Sequence, residues 1–375
     1  MMNVAINNCS GQQVYAALYG IDTNANWCLY NFTSNTFDVC VVDQTDAMSY
    51  MVLVPDGGLT ITDTPQMASG VFLFSYNQLP NDFAVVADGN GNAAVQSPSF
   101  LPGTVDYGTI FNTVEMTLTA NTAGVTLPAV WADITNVDYF STPLEIHLTG
   151  YTNGEVYDQG KGAMVAGRDS VFAEFIKETE GTPFANLVVT GASGNVRILG
   201  PQHGITAGVI PTNYWDNYVD EVWNYYTNNV LSINNGAYGN YTGMVNSSNQ
   251  MALTGSNGDI QLISKPGPGL AMDVFGCQGT LAAPNNSVGH LAAIIGAAIN
   301  RSILLDYSSQ PYCDTNNFYL LTGSTNLYAA VLHKFYADGT TYAFPFDDVC
   351  NGSSTLSCPD PRQLTINLTT FLNIA

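Results

Sequence analysis

Four short apolar runs, 13-QVYAALYGI-21, 50-YMVLV-54, 71-VFLFSY-76 and 83-FAVVA-87, succeed one another between clusters of Gly, Pro, Asn and Asp. Each run is too short for a helix and is rich in β-branched and aromatic residues. Residues 1–150 therefore read as β throughout, in the regular short strands of a sandwich or barrel. The middle of the chain is different. In 213-NYWDNYVDEVWNYYTN-228, Trp215, Tyr218, Val219, Val222, Trp223 and Tyr226 recur at helical spacing. They form one apolar stripe, opposed by Asp216, Asp220 and Glu221, and the stripe reads as core. Helices also fit 169-DSVFAEFIKETE-180, 289-GHLAAIIGAAINRSI-303 and 325-TNLYAAVLHKFYADG-339. Asp169 and either Thr325 or Asn326 suit N-caps, and Gly339 suits a C-terminal stop. After residue 340 the pattern returns to β, in 341-TYAFPFDDVC-350 and 363-QLTINLTTFL-372. The expected fold class is mainly β with an α/β insertion: residues 1–150 and 341–375 form a β-sandwich, and 151–340 form a mixed α/β lobe. A groove between two such lobes is a common ligand site.

Charge narrows the partners. Thirty Asp and Glu face eight Lys and Arg, for a net charge of −22. Nucleic acid and anionic lipid repel such a chain, so neither nucleic acid nor membrane is expected as a partner. A neutral polymer such as a polysaccharide meets no such repulsion. The longest apolar run, 291-LAAIIGAAI-299, is about half the length of a membrane span. The opening MMNVAINNCSG has no basic region and no long apolar run, so it reads as a mature chain with an added start. Seven cysteines and eight Asn-X-Ser/Thr sequons suggest a secreted protein with disulfides. The expected pairs are Cys28 with Cys40, Cys277 with Cys313 and Cys350 with Cys358, leaving Cys9 over. No Cys or His spacing suggests a metal site, and no cofactor is expected.

Only 10% of the residues are charged, so acids within strands stand out. In 112-NTVEMTLTAN-121, Glu115, Thr117 and Thr119 alternate with Val114, Met116 and Leu118. In a strand the first set shares one face and the second faces the core. The stretch 131-WADITNVDYFSTPLEI-146 carries Asp133 and Asp138, five residues apart. An odd spacing puts them on opposite faces of a regular strand, unless a bulge or bend intervenes. Asp347 and Asp348 follow an aromatic run. Two carboxyl groups across a cleft are the minimum equipment of glycoside hydrolysis: one protonates the leaving oxygen and the other activates water or attacks the sugar. Solvent-facing acids on an exposed sheet fit the same pattern without chemistry. His203, in 199-LGPQHG-204, reads as a loop residue. No G-x-S-x-G elbow is present, and 89-GNGN-92 and 266-PGPG-269 read as turns.

The segment 4-VAINNCSGQQVYAAL-18 resembles the opening strand pair of thaumatin-like proteins. The segments 114-VEMTL-118, 132-ADITNVDYFSTPL-144 and 342-YAFPFDDVC-350 resemble, in order, that superfamily's acidic-cleft motifs. The segments 214-YWDNYVDEVWNYYT-227, 273-DVFGCQG-279 and 336-YADGTTYAFPFDDV-349 resemble glycoside hydrolase family 64, the β-1,3-glucanases built from a thaumatin-like β-sandwich and an α/β lobe with a wide groove between them. This resemblance implies a secreted, inverting hydrolase of β-1,3-glucan polysaccharide, and a monomer is expected. By the same resemblance Glu115 is the acid and Asp138 the base, and Thr117, Trp131, Asp133, Thr135 and Asp347 contact substrate. Trp131 either stacks on a sugar ring or packs under the sheet. Asp273 belongs to a family motif without an assigned role. There are departures: 106-DYGTIFNT-113 lacks the Arg that thaumatin-like clefts place before the Glu motif, and the stretch between Glu115 and Asp138 is longer than usual. The alternative function is a glucan-binding or cell-wall interaction protein without turnover.

Overall fold

The computed structural model describes residues 2–119, 129–192, 194–321 and 323–371. Both chain ends enter one sheet. Asn3–Asn8 runs parallel to Asp360–Leu368, with Val4 opposite Leu364 and Ile6 opposite Ile366. This sheet has five strands, in the order Glu155–Lys161, Leu144–Thr152, Asp360–Leu368, Asn3–Asn8 and Leu59–Ile61. A larger sheet holds Leu356–Cys358, Val130–Asp133, Phe111–Leu118, Met67–Tyr76, Val14–Ile21, Trp27–Asn31 and Thr36–Val39 in that order, with Val52–Leu53 pairing beside Val14–Ile21. Strict alternation explains why they pack together. Val4, Ile6, Leu144, Ile146, Leu148, Leu364 and Ile366 from the first sheet share one buried core with Val14, Ala16, Leu18, Phe72, Phe74, Val114, Met116 and Val130 from the second. Residues between these point to the opposite faces of the sheets: on the larger sheet Glu115 is exposed there, while Ala17, Tyr19 and Leu73 enter a third, smaller core.

The middle of the chain builds a second core. The aromatic stripe behaves as its spacing predicts: Trp215, Tyr218, Val219, Val222, Trp223 and Tyr226 are all buried. They belong to the helix Asp216–Tyr225 and its two flanking residues. The helices Arg168–Glu178, Ser287–Asn300 and Leu327–Phe335 also form where helical periodicity predicts them. Asn326 caps the last, its side chain accepting from Ala329 N. Asp169 does not cap the first, because that helix starts one residue earlier at Arg168. Gly339 lies beyond the helix end at Phe335. A five-stranded sheet, including Leu231–Asn234, Asn240–Val245 and Gln250–Gly255, completes this part. No helix among the described residues is long and apolar enough to cross a membrane.

Three expectations are corrected. The stretch 341-TYAFPFDDVC-350 is mostly turns and belongs to no sheet; Tyr342 makes one isolated β-bridge, to Thr135. Pro345 supplies no N–H, and Phe346 and Cys350 adopt positive φ, which a regular ladder does not accommodate. The stretch 199-LGPQHG-204 opens a short helix, Pro201–Thr206, with Pro at its first position. The disulfide joins Cys313 to Cys350, with Cα atoms 5.3 Å apart, and Cys9, Cys28, Cys40, Cys277 and Cys358 are free. Cys28 lies opposite Val39 rather than Cys40 in its strand pair. Cys277 is buried and donates to Pro345 O, and Cys358 donates to Tyr151 O.

Candidate active site

Glu115 sits mid-strand on the outer face of the larger sheet. Its neighbours are Asp133 on one side and Val71 on the other. Two residues along, Thr117 lies opposite Trp131, and Trp131 lies opposite Ser357. The strand Met67–Tyr76 is irregular beside this row. Its register shifts between Met116 and Leu118, and Ser69 takes φ +48°. Gly70 fits there because a Cβ would stand 2.6 Å from Met116 O. Irregularity of this kind re-aims neighbouring side chains. The result is a hollow of about 460 Å³ lined by Tyr19, Trp27, Ser97, Glu115, Thr117, Trp131 and Asp133, among others. Trp131 is 49% exposed. It stands between this hollow and a second of about 540 Å³ that includes Tyr157, Gln159, Lys161 and Asp348. Of its two readings, packing under the sheet is thus excluded.

The electrostatics of the first hollow favour protons. Glu115 keeps an exposed face, but the protein crowds its carboxyl. This desolvation, followed by the negative charge of Asp138, raises its pKa. Asp133 is pushed up to about 7, by burial first and by Glu115 second. Its Oδ1 is buried and accepts no hydrogen bond. Tyr19 is pushed up to about 12, chiefly by burial, against the hydrogen bond it shares with Ser97. Tyr19 therefore stays neutral.

Asp138 reaches the neighbourhood by a bend. The strand Val130–Asp133 ends at Asp133, and Tyr139–Phe140 joins a different sheet, opposite Leu199 and Ile198. The segment between is pinned at each step. Thr135 Oγ1 accepts from Val137 N. Asn136 is fully buried; its Nδ2 donates to Tyr336 OH and Thr341 Oγ1, and its carbonyl accepts from Tyr328 OH at 2.6 Å. Gln202 Nε2 donates to Val137 O. Gly200 N donates to Asp138 O at 2.7 Å. Gly200 has no substitute at this contact, because a Cβ there would run into Val137 O. Asp138 Oδ1 then meets His203 Nε2 at 2.6 Å, and the His203 ring packs edge-on against Phe100 at 4.8 Å. A bend, not a bulge, lies between the two aspartates. Asp133 lines the first hollow, whereas Thr135 and Asp138 are not among its lining residues, and Asp138 is felt there through its charge on Glu115.

Asp347 does not belong in the hollow. It is fully buried, with Oδ1 3.0 Å from Arg301 Nη2 and Oδ2 3.0 Å from His333 Nε2. Ala343 N also donates to Oδ2. Burial alone lowers the His333 pKa, but the Asp347 carboxylate outweighs it and the net shift is upward. Asp347 is thus a fold residue, fully buried and held by three donors. Asp273 also serves the fold. Its Oδ2 accepts from Thr280 N and Oγ1, closing the turn at Gly279–Leu281. Among the described residues no group of three His, Cys, Asp or Glu is placed to hold a metal. Sequence reasoning overlooked Tyr19, Trp27, Asn136 and the role of His203. None of the four stands in a local pattern that separates it from ordinary β or turn residues.

Comparison with known proteins is consistent across the chain. The family model described as Beta-1,3-glucanase, glycoside hydrolase family 64, matches residues 1–368. A glucan endo-1,3-beta-glucosidase of Cellulosimicrobium cellulans is 31% identical over 313 residues, 82% of this chain and 53% of that protein. The chain thus spans about half the length of the curated relatives it matches. The crystal structure of a laminaripentaose-producing beta-1,3-glucanase in complex with laminaritetraose superposes with a TM-score of 0.84 at 27% identity, covering 99% of both chains. A beta-1,3-glucanase domain from Clostridium beijerinckii gives 0.80 at 21% identity over 98% of each, a likeness of fold.

Proposed function

The chain belongs to glycoside hydrolase family 64, and from that premise we propose that it hydrolyses β-1,3-glucan with a pair of carboxyl groups, Glu115 and Asp138. Glu115 donates its proton to the glycosidic oxygen as the bond to the anomeric carbon breaks. Asp138 takes a proton from a water that attacks that carbon from the opposite face. The configuration inverts, and the next proton exchange with solvent restores both groups. The observation that carries this reading is Glu115 itself: it is open to a hollow, its pKa is raised, and the second cause of that rise is the charge of Asp138. An acid must hold its proton near the working pH, and a base must stand close enough to act on the same sugar.

The neighbours suit a neutral sugar chain. Trp131 offers an exposed apolar face for stacking, and Thr117 and Asp133 offer hydrogen-bonding groups in the same hollow. Thr135 orders the turn that leads to Asp138. The parallel pairing of the two chain ends supports a thaumatin-like sandwich made from both ends of the chain. Glu155–Lys161 belongs to its five-stranded sheet, so the mixed α/β lobe starts after residue 161, with a wide substrate groove between the two. The disulfide Cys313–Cys350 supports an oxidising, extracellular setting. The working unit in this proposal is a monomer.

The test is release of soluble oligosaccharides from a linear β-1,3-glucan by wild type, E115Q and D138N, with binding to the same polymer measured in parallel. The expected result is release by wild type alone and binding by all three. Binding without release by wild type would leave a glucan-binding protein instead.

A further inference from the structure

We propose that Asp133 and Glu115 form one proton-sharing pair, in which Asp133 is a positioning residue that keeps a proton available to Glu115 up to neutral pH. The proposal rests on the reading of Glu115 as the acid. Its basis is geometric. The two residues are direct partners on adjacent antiparallel strands, where Cβ atoms lie about 4.5–5.5 Å apart. Both line one hollow. Among the described residues lining that hollow there is no Lys, Arg or His to neutralise them. The groups that face the pair are themselves acidic or phenolic: Asp138 acts on Glu115, Glu115 on Tyr19, and Asp133 on Tyr342.

A second observation points the same way. Asp133 Oδ1 is buried and has no hydrogen-bond donor. An ionised carboxylate left so is costly, and no neighbouring donor relieves it. A proton shared with the carboxyl across the strand does. Two like charges at this range do not ionise independently, so the second ionisation belongs to the pair rather than to either residue. Burial first and the charge of Glu115 second push the Asp133 pKa up to about 7, the direction that a shared proton requires. No covalent step is added. One proton moves between two carboxyl oxygens, and the one delivered to the leaving oxygen is replaced from solvent.

The experiment is the pH profile of kcat/KM on linear β-1,3-glucan for wild type and D133N. The readout is the position of the alkaline limb, not the height of the plateau. With an uncharged neighbour Glu115 loses its proton more easily, so the limb moves to lower pH by about one unit. A limb that stays in place, including a rate that falls equally at every pH, overturns the proposal. A second readout covers the case in which D133N does not fold: carboxyl-carbon NMR of the full chain, comparing wild type with E115Q. The Asp133 titration midpoint falls in E115Q if the two share a proton, and stays at its wild-type value if they do not. The two readings fail separately. Full activity of E115Q removes Glu115 as the acid, whereas an inactive E115Q with an unmoved Asp133 midpoint removes only the pair.

Discussion

Asp138 Oδ1 lies 2.6 Å from Nε2 of His203, across a contact that joins the bend after Val130–Asp133 to the short helix Pro201–Thr206. Phe100 packs edge-on against the imidazole. One carboxylate oxygen is thereby fixed and the other is left for water. On this arrangement D138N lowers kcat by about 10²–10⁴-fold, the usual worth of a general base. H203A leaves the base in place but unoriented. Its expected loss is in kcat rather than KM, and H203Q, which retains a donor, recovers part of it. Steady-state kinetics on a soluble β-1,3-glucan check both.

Gly200 makes that contact possible by letting the chain approach Val137 O. G200A forces the helix start away from Asp138. The expected result is a stability loss of about 1–3 kcal/mol, as for other overpacking substitutions, together with a kcat loss that persists at temperatures where the protein remains folded. Thermal unfolding and rate measurements at two temperatures separate the two effects.

Trp131 stands between two hollows rather than under the sheet. Truncation to Ala removes a stacking surface that ground state and transition state share. KM rises by about tenfold, equivalent to about 1.4 kcal/mol, with little change in kcat. Kinetics with oligosaccharides of increasing length show whether the loss grows with chain length.

The cluster Arg301–Asp347–His333 is a stability element. D347N leaves the buried Arg301 uncompensated and destabilises by about 3–5 kcal/mol. His333 has a raised folded pKa. Its contribution is therefore full below the unfolded value of about 6.5 and is lost as pH rises through the higher folded value. The difference in Tm between wild type and H333Q is expected to be larger at pH 5 than at pH 9, and a difference that grows with pH contradicts the assignment.

Much of this was legible in the residues, for identifiable reasons. Alternation at 114–118 places Glu115 outward because a strand has a period of two. The stripe from Trp215 to Tyr226 marks a buried helix because a helix has a period of 3.6. Where tertiary context decides, local pattern fails. The aromatic run before Asp347 has high β propensity, but Pro345 and the positive φ of Phe346 turn it into the loop that buries Asp347. The partner of Cys313 lies 37 residues away on that same loop, and no spacing rule selects it. Asp138 and His203 are 65 residues apart. Their meeting depends on the bend at 134–138, which is held by Tyr328, Tyr336 and Thr341 from the far end of the chain. Family resemblance marked Asp138; geometry shows what orients it.

The central claim is that Glu115 and Asp138 act from opposite faces of one sugar. The most direct measurement is proton NMR of the anomeric signals during the first minutes of β-1,3-glucan hydrolysis. Displacement by water activated at Asp138 makes the α-anomer first, with the β-anomer appearing only by later mutarotation. Initial release of the β-anomer would mean a covalent intermediate and a nucleophile close to Glu115, and would contradict the account.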